Sequence, residues 1–152
     1  MNPRIVSKRA FTVAGLKYQG KNENNEIPAL WQALGPRMGE FRSVVDQEAA
    51  YGVIDLPDQE SDAIDYMAGV AVGEEAPVPQ GMTFVRIPEQ TYAVFRTTLP
   101  TLMDTFHRAY DEWLPASGYK RAPGPEFERY GETFDPENPE SEMEIWIPIE
   151  PA

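Results

Sequence analysis

Two short segments near the C-terminal end carry side chains able to do chemistry. In Glu142-Met143-Glu144-Ile145-Trp146-Ile147, Glu or Trp alternates with an apolar residue. As a strand, this puts Glu142, Glu144 and Trp146 on one face, and Met143, Ile145 and Ile147 on the other, which suits a core against helices. Glu126-Phe127-Glu128-Arg129-Tyr130 alternates in the same way, with Glu126, Glu128 and Tyr130 sharing a face. If the two strands pair, carboxylates and rings converge on one surface. Such a surface suits a hydrophobic cation, because ring faces hold its body and a fixed negative charge holds its head. The same alternation also describes a solvated outer face whose glutamates serve solubility.

Other chemistries find little to work with. The 152 residues include no Cys and one His, which removes disulfides, thiol nucleophiles, thiolate metal sites and His-rich zinc centres. His107, beside Phe106 in a helical pattern, reads as a surface histidine. The acidic set Asp55, Asp58, Glu60, Asp62 and Asp65 lacks the spacing and central Gly of an EF-hand loop. It reads as a solvated hairpin tip, and no metal is expected. No Gly-rich phosphate loop, Gly-x-Ser-x-Gly elbow or nucleotide fingerprint occurs, so no cofactor is expected either. A formal charge of −12 argues against direct nucleic-acid binding, which rests on basic groups neutralising phosphate. No run approaches the roughly 20 apolar residues that span a bilayer, and no signal-peptide pattern opens the chain. The expectation is a soluble, cytoplasmic protein without membrane contact.

The elements that must position these residues follow from periodicity. Length and a 41% hydrophobic content fit one domain over 1–152, with half-units of roughly 1–76 and 77–152. Ile5 to Gly20 reads as a strand with a bulge at Gly15. The polar run 21–25 is a loop that caps the next helix. From Ile27, the residues Leu30, Trp31, Leu34, Met38 and Phe41 recur at helical spacing, broken at Gly35-Pro36 into a second short piece. Tyr51–Leu56 and Ile64–Val72 read as strands joined by an acidic hairpin loop at 57–62. After a linker with Pro77, Pro79 and Gly81, Met82 to Thr97 is β-rich and interrupted at Pro88-Glu89. Thr101 with Asp104 resembles a capping box for a helix carrying Leu102, Met103, Phe106, Tyr110, Trp113 and Leu114, stopped by Pro115 and Gly118. Phe127–Gly131 and Met143–Ile149 are the last strands. The order is β-α-β-β twice, an α+β domain with both helices on one face and a ligand cleft on the other.

Leu16-Lys17-Tyr18-Gln19-Gly20, Ile27-Pro28-Ala29-Leu30-Trp31, Tyr92-Ala93-Val94-Phe95, Tyr110-Asp111-Glu112-Trp113-Leu114-Pro115, Phe127-Glu128-Arg129-Tyr130 and Glu144-Ile145-Trp146-Ile147-Pro148 occur in that order. Together they resemble the GyrI-like small-molecule-binding domain, the effector-binding half of AraC-type and MerR-type multidrug regulators. The resemblance implies two β-α-β-β units with pseudo-twofold symmetry and a ligand cleft between them. It also implies an acidic residue among aromatics that faces lipophilic cations. The matching positions are Glu128 and Glu144, with Trp146 two residues after the latter and Tyr66 in the third-strand motif. Tyr130, Tyr18 and Trp31 are further pocket candidates. The regulators' helix-turn-helix has no match here, so control of DNA would need another chain.

The leading expectation is capture of a small, largely apolar, cationic molecule for sensing or sequestration. Stand-alone relatives of this kind also suggest a hydrolase of strained cyclopropanoid electrophiles, with Glu144 or Glu128 as general base. A third reading is an acidic interaction module of the gyrase-inhibitor type, with a regulator or topoisomerase as protein partner. Binding and hydrolysis call on the same carboxylate, so residue types do not separate them.

Overall fold

The computed structural model describes residues 2–55 and 63–152; the acidic loop expected at 57–62 lies outside them. Among the described residues the β-rich segments pair into one antiparallel sheet of nine strands. They are β1 (Arg4–Lys8), β2 (Phe11–Gly20), β3 (Ala49–Asp55), β4 (Ile64–Val72), β5 (Thr83–Ile87), β6 (Gln90–Thr98), β7 (Tyr119–Arg121), β8 (Glu126–Gly131) and β9 (Glu142–Pro151). Helix α1 (Glu26–Leu34) runs into a 3₁₀ turn at Gly35–Glu40. Helix α2 (Leu102–Arg108) passes through a π-helical turn at Ala109–Trp113 into the short α3 (Leu114–Ser117).

The strand order is β1-β6-β9-β8-β3-β4-β2-β5, with β7 also on β9. Exchanging the unit β2-α1-β3-β4 with β6-α2-β8-β9 maps this order onto itself. The pseudo-twofold axis therefore falls between β3 and β8, where the two units meet. Each leading strand crosses over: β1 pairs with β6 of the second unit, and β5 with β2 of the first.

Alternation divides the apolar residues between the two faces. One face gathers Val13, Tyr51, Val53, Met67, Ile87, Tyr92, Val94, Phe127 and Trp146 into a single cluster. The other face carries the helices in two separate clusters. Leu34, Leu30 and Trp31 of the first unit pack on Ala14, Tyr66, Ala68 and Val70. Phe106, Ala109, Tyr110 and Trp113 of the second pack on Ala93, Phe95, Met143, Ile145 and Ile147. Between these clusters the helix-side surface is formed by β3 and β8. The α+β architecture of two β-α-β-β units is thus the one observed, but the strip where they meet lies on the helix face, not on the opposite face expected for a cleft, which is filled by the single aromatic cluster.

Local details depart from the sequence pattern for physical reasons. The run 5–20 is two strands, because β1 leaves β2 to complete the opposite unit. Gly15 is not a bulge, since the β2–β4 register runs unbroken through Gly15↔Gly69. What it supplies is room: a Cβ there would lie 1.9 Å from the Ala68 carbonyl oxygen, and one at Gly69 would lie 2.0 Å from that of Ala14. Thr101 does not cap α2 through its side chain, because its hydroxyl is engaged by Thr98 at 2.7 Å. The α1 cap comes from Asn22, whose Oδ1 accepts the Ile27 N–H at 2.9 Å. Met38 and Met103 are exposed rather than part of the apolar stripes, Met38 because the 3₁₀ turn rotates it outward.

Gly15→Ala has no flexible atom to push aside, only backbone. It is expected to destabilise the fold by roughly 1–3 kcal/mol, a drop in Tm of about 2–4 °C per kcal/mol for a chain of this size, measured by thermal unfolding.

Candidate functional site

The strip between the helices is lined by the helix-side residues of β3 and β8. The register sets Gly52 beside Glu128, Ala50 beside Tyr130 and Ile54 beside Glu126. Small residues on β3 leave space over the strand, and the carboxylates of β8 occupy it. A Cβ at Gly52 would stand 2.1 Å from the Tyr66 hydroxyl and 2.6 Å from Glu128 Oε1. Glycine is therefore the residue that lets Tyr66 of β4 reach across β3 to Glu128.

Glu128 is 6% exposed and has no basic partner among the described residues. Its Oε1 accepts a hydrogen bond from the Tyr66 hydroxyl and another from the Tyr130 hydroxyl, each at 2.7 Å. Trp31 Nε1–H of α1 donates to the Tyr66 oxygen at 2.9 Å. The Trp31 indole also meets the Tyr130 ring edge-on, with centroids 5.2 Å apart. Burial raises the Glu128 carboxyl above its ordinary value, and the charge of Glu126 adds to this. The two phenol hydrogen bonds oppose the rise without cancelling it. Burial and the Glu128 charge push both tyrosines up in turn, so each stays a hydrogen-bond donor.

A second buried carboxylate, Glu126, lies two residues earlier on the same face. Its Oε2 accepts a hydrogen bond from Tyr110, which the π-helical turn of α2 presents to it. Arg121 of β7 stands 4.0 Å away, with its Nε–H donating to the Tyr110 oxygen at 3.0 Å. Burial raises the Glu126 carboxyl, against the Tyr110 hydrogen bond and the Arg121 charge.

Of the residues singled out from sequence, the structure brings Glu128, Tyr66, Tyr130 and Trp31 together. Tyr18 lies across from Tyr66, but its hydroxyl accepts the Asn22 N–H at 2.8 Å and closes the loop before α1. Glu144 and Trp146 are on the opposite face. The expected convergence of the two β8 and β9 faces does not occur, because the register pairs Glu128 with Ile145 and Arg129 with Glu144. Phe127 is thereby stacked on Trp146, at 5.3 Å and 19°. Glu144 there accepts from Arg4 at 2.5 Å and from Trp146 Nε1–H at 3.1 Å. It lines a cavity of about 180 Å³ with Arg96, Arg129 and Glu142, while one of about 280 Å³ lies outside α2 at Arg108, Glu112 and Trp113.

Tyr110 and Arg121 were not foreseen as site residues. Tyr110 carried only an apolar helical signal, and the three-residue β7 has no pattern long enough to read. His107 is exposed at the helix surface. Among the described residues no group of three or more His, Cys, Asp or Glu side chains is placed to hold a metal ion. No helix among them is long and apolar enough to cross a membrane.

The family model of the integron-associated effector binding proteins, Cass2, matches residues 4–149. The transcriptional regulator BrlR of Pseudomonas aeruginosa is 36% identical over 152 residues, which cover 98% of this chain and 56% of BrlR. The chain thus spans about half the length of that regulator. A structure of SAV2435 bound to tetraphenylphosphonium is similar with a TM-score of 0.73 at 16% identity, over 99% of this chain and 94% of that one. The C-terminal domain of EcmrR is similar with a TM-score of 0.74 at 14% identity, over 99% and 98%. At such identities the likeness is one of fold.

A carboxyl raised above its unfolded value of 4.5 binds more protons in the folded than in the unfolded chain. Stability therefore falls as pH rises from that value through the raised one. Glu128→Gln, which cannot ionise, is expected to raise the Tm of the ligand-free protein at pH 7. The gain should shrink toward zero at about pH 4, where the wild-type carboxyl is protonated as well. A variant less stable at pH 7 would contradict the burial of an uncompensated charge.

Proposed function

The chain belongs to the Cass2 family of integron-associated effector binding proteins, and we propose that it captures small, largely apolar cations at Glu128, between α1 and α2, for sensing or sequestration. The observation that carries this reading is a buried carboxylate held by two phenols under an indole, with no positive charge against it among the described residues. Desolvating an anion without a counter-ion is unfavourable. A lipophilic cation reverses that by bringing the missing charge, while its apolar body replaces water over Trp31 and Tyr130. Glu144 does not offer the same vacancy, since Arg4 and Trp146 already engage both of its oxygens.

Support also comes from SAV2435, which shares the fold and has a structure with tetraphenylphosphonium bound. Trp31 and Tyr130 are half-buried and cover Glu128, so admitting a ligand of that size requires the two rings to part. A ligand that displaces Trp31 also disturbs its hydrogen bond to Tyr66. Occupancy would then be felt by α1, which gives a sensor something to report.

The test is a titration of the purified protein with tetraphenylphosphonium and with neutral triphenylphosphine oxide, followed by calorimetry and Trp fluorescence. The cation should bind more tightly than the neutral analogue. Glu128→Gln should weaken it about tenfold or more, or roughly 1.4 kcal/mol. Glu144→Gln, on the other face, should stay within about threefold of wild type. Binding should weaken on acidification, as protons compete for Glu128. Equal affinity for both ligands, or an unaffected Glu128→Gln variant, would overturn the reading.

A further inference from the structure

We infer that Arg121 is a resident cation that occupies the second carboxylate of the strip and restricts the site to ligands with a single positive charge. The inference rests on the proposed cation site at Glu128 and defines which cations enter it.

Glu126 and Glu128 project from the same face of β8 into the same strip, each 6% exposed. Two residues apart along a strand, their Cα atoms are separated by about 6.6 Å. Both carboxyls are buried, yet they are served differently. Among the described residues Glu128 has phenol donors alone. Glu126 has the Tyr110 hydroxyl and, 4.0 Å away, the guanidinium of Arg121.

Arg121 reaches this position because β7 pairs with β9 at Arg121↔Ile149, on the helix side of the sheet. Its Nε–H donates to the Tyr110 oxygen, and its Nη1 donates to the carbonyl of its neighbour Ala122. The guanidinium is thus tied at two points, and Tyr110 links it to Glu126. Its side chain is 30% exposed, whereas that of Glu126 is 7% exposed, so the arginine covers the carboxylate from the solvent side.

Two carboxylates and one guanidinium leave room for one further positive charge, at Glu128. A ligand with a second cationic group about one strand repeat from the first would bring it to Glu126, where Arg121 already stands. Like charges close together beside buried carboxylates repel strongly. Selection against dications is therefore achieved by a charge built into the site. Without Arg121, the spacing of the two glutamates would favour such a dication.

The experiment compares pentyltriphenylphosphonium with (4-aminobutyl)triphenylphosphonium, which replaces a terminal methyl by an ammonium group at nearly constant size. Calorimetric titrations would be run on wild type, Arg121→Gln and Arg121→Lys. Wild type should prefer the monocation about tenfold or more. In Arg121→Gln that ratio should fall at least about tenfold, and Arg121→Lys, which keeps the charge, should restore it. An arginine of merely structural importance would shift both affinities by the same factor, and an unchanged ratio in Arg121→Gln would overturn the inference. If Arg121→Gln does not fold, Glu126→Gln serves instead. It leaves Arg121 uncompensated and should widen the preference for the monocation; a narrowed preference would contradict the role given to Arg121. Failure of wild type to bind pentyltriphenylphosphonium would instead overturn the cation site itself.

Discussion

A carboxylate taken out of water with no cation beside it is unfavourable, and the surrounding structure must account for it. Glu128 is that carboxylate. Gly52 leaves the space over β3 through which Tyr66 reaches it, and Tyr130, two residues along the same strand, supplies the second donor. Neutral phenols reduce the penalty of burial but bring no charge. The carboxyl accordingly stays raised, which is the basis on which a positive group is proposed as its partner.

The pseudo-twofold arrangement explains why this demand sits where it does. The two units meet at β3 and β8, and the helices of each unit cover only their own half of the sheet. Each helix nevertheless sends one aromatic side chain to the central strip. Trp31 of α1 connects to Glu128 through Tyr66, and Tyr110, from the π-helical turn that follows α2, binds Glu126 directly. The two carboxylates of one strand are thus coupled to two different helices. Under the proposed function, a cation that rearranges the Glu128 contacts would act on α1, while Arg121 engages the Tyr110 and Glu126 of the other unit. Neighbours at 14–16% identity keep the scaffold, which leaves recognition to side chains mounted on it.

Much of this was legible in the sequence, for identifiable reasons. The repeated β-α-β-β order follows from long periodic segments, and the within-strand faces of β8 and β9 follow from strict alternation. What alternation does not contain is register. Whether Glu128 shares a face with Glu144 depends on which residues pair across the strands, and the stacking of Phe127 on Trp146 decides against it. The crossing of β1 to the second unit escaped for the same reason, since non-local pairing leaves no mark on a local pattern. Arg121 was hidden by a strand of three residues. Tyr110 reads as a packing residue in its helical pattern, and its hydroxyl gains a role only where the fold brings Glu126 beside it.

The proposed function requires Glu128 to be an anion that a bound cation stabilises. The most direct measurement is the carboxyl titration of Glu128 followed by carbon-detected NMR, without and with saturating tetraphenylphosphonium. The expected midpoint lies above the ordinary carboxylate value in the free protein and shifts downward once the cation is bound. A Glu128 that titrates normally in the free protein, or whose midpoint is unmoved by a bound cation, would contradict it.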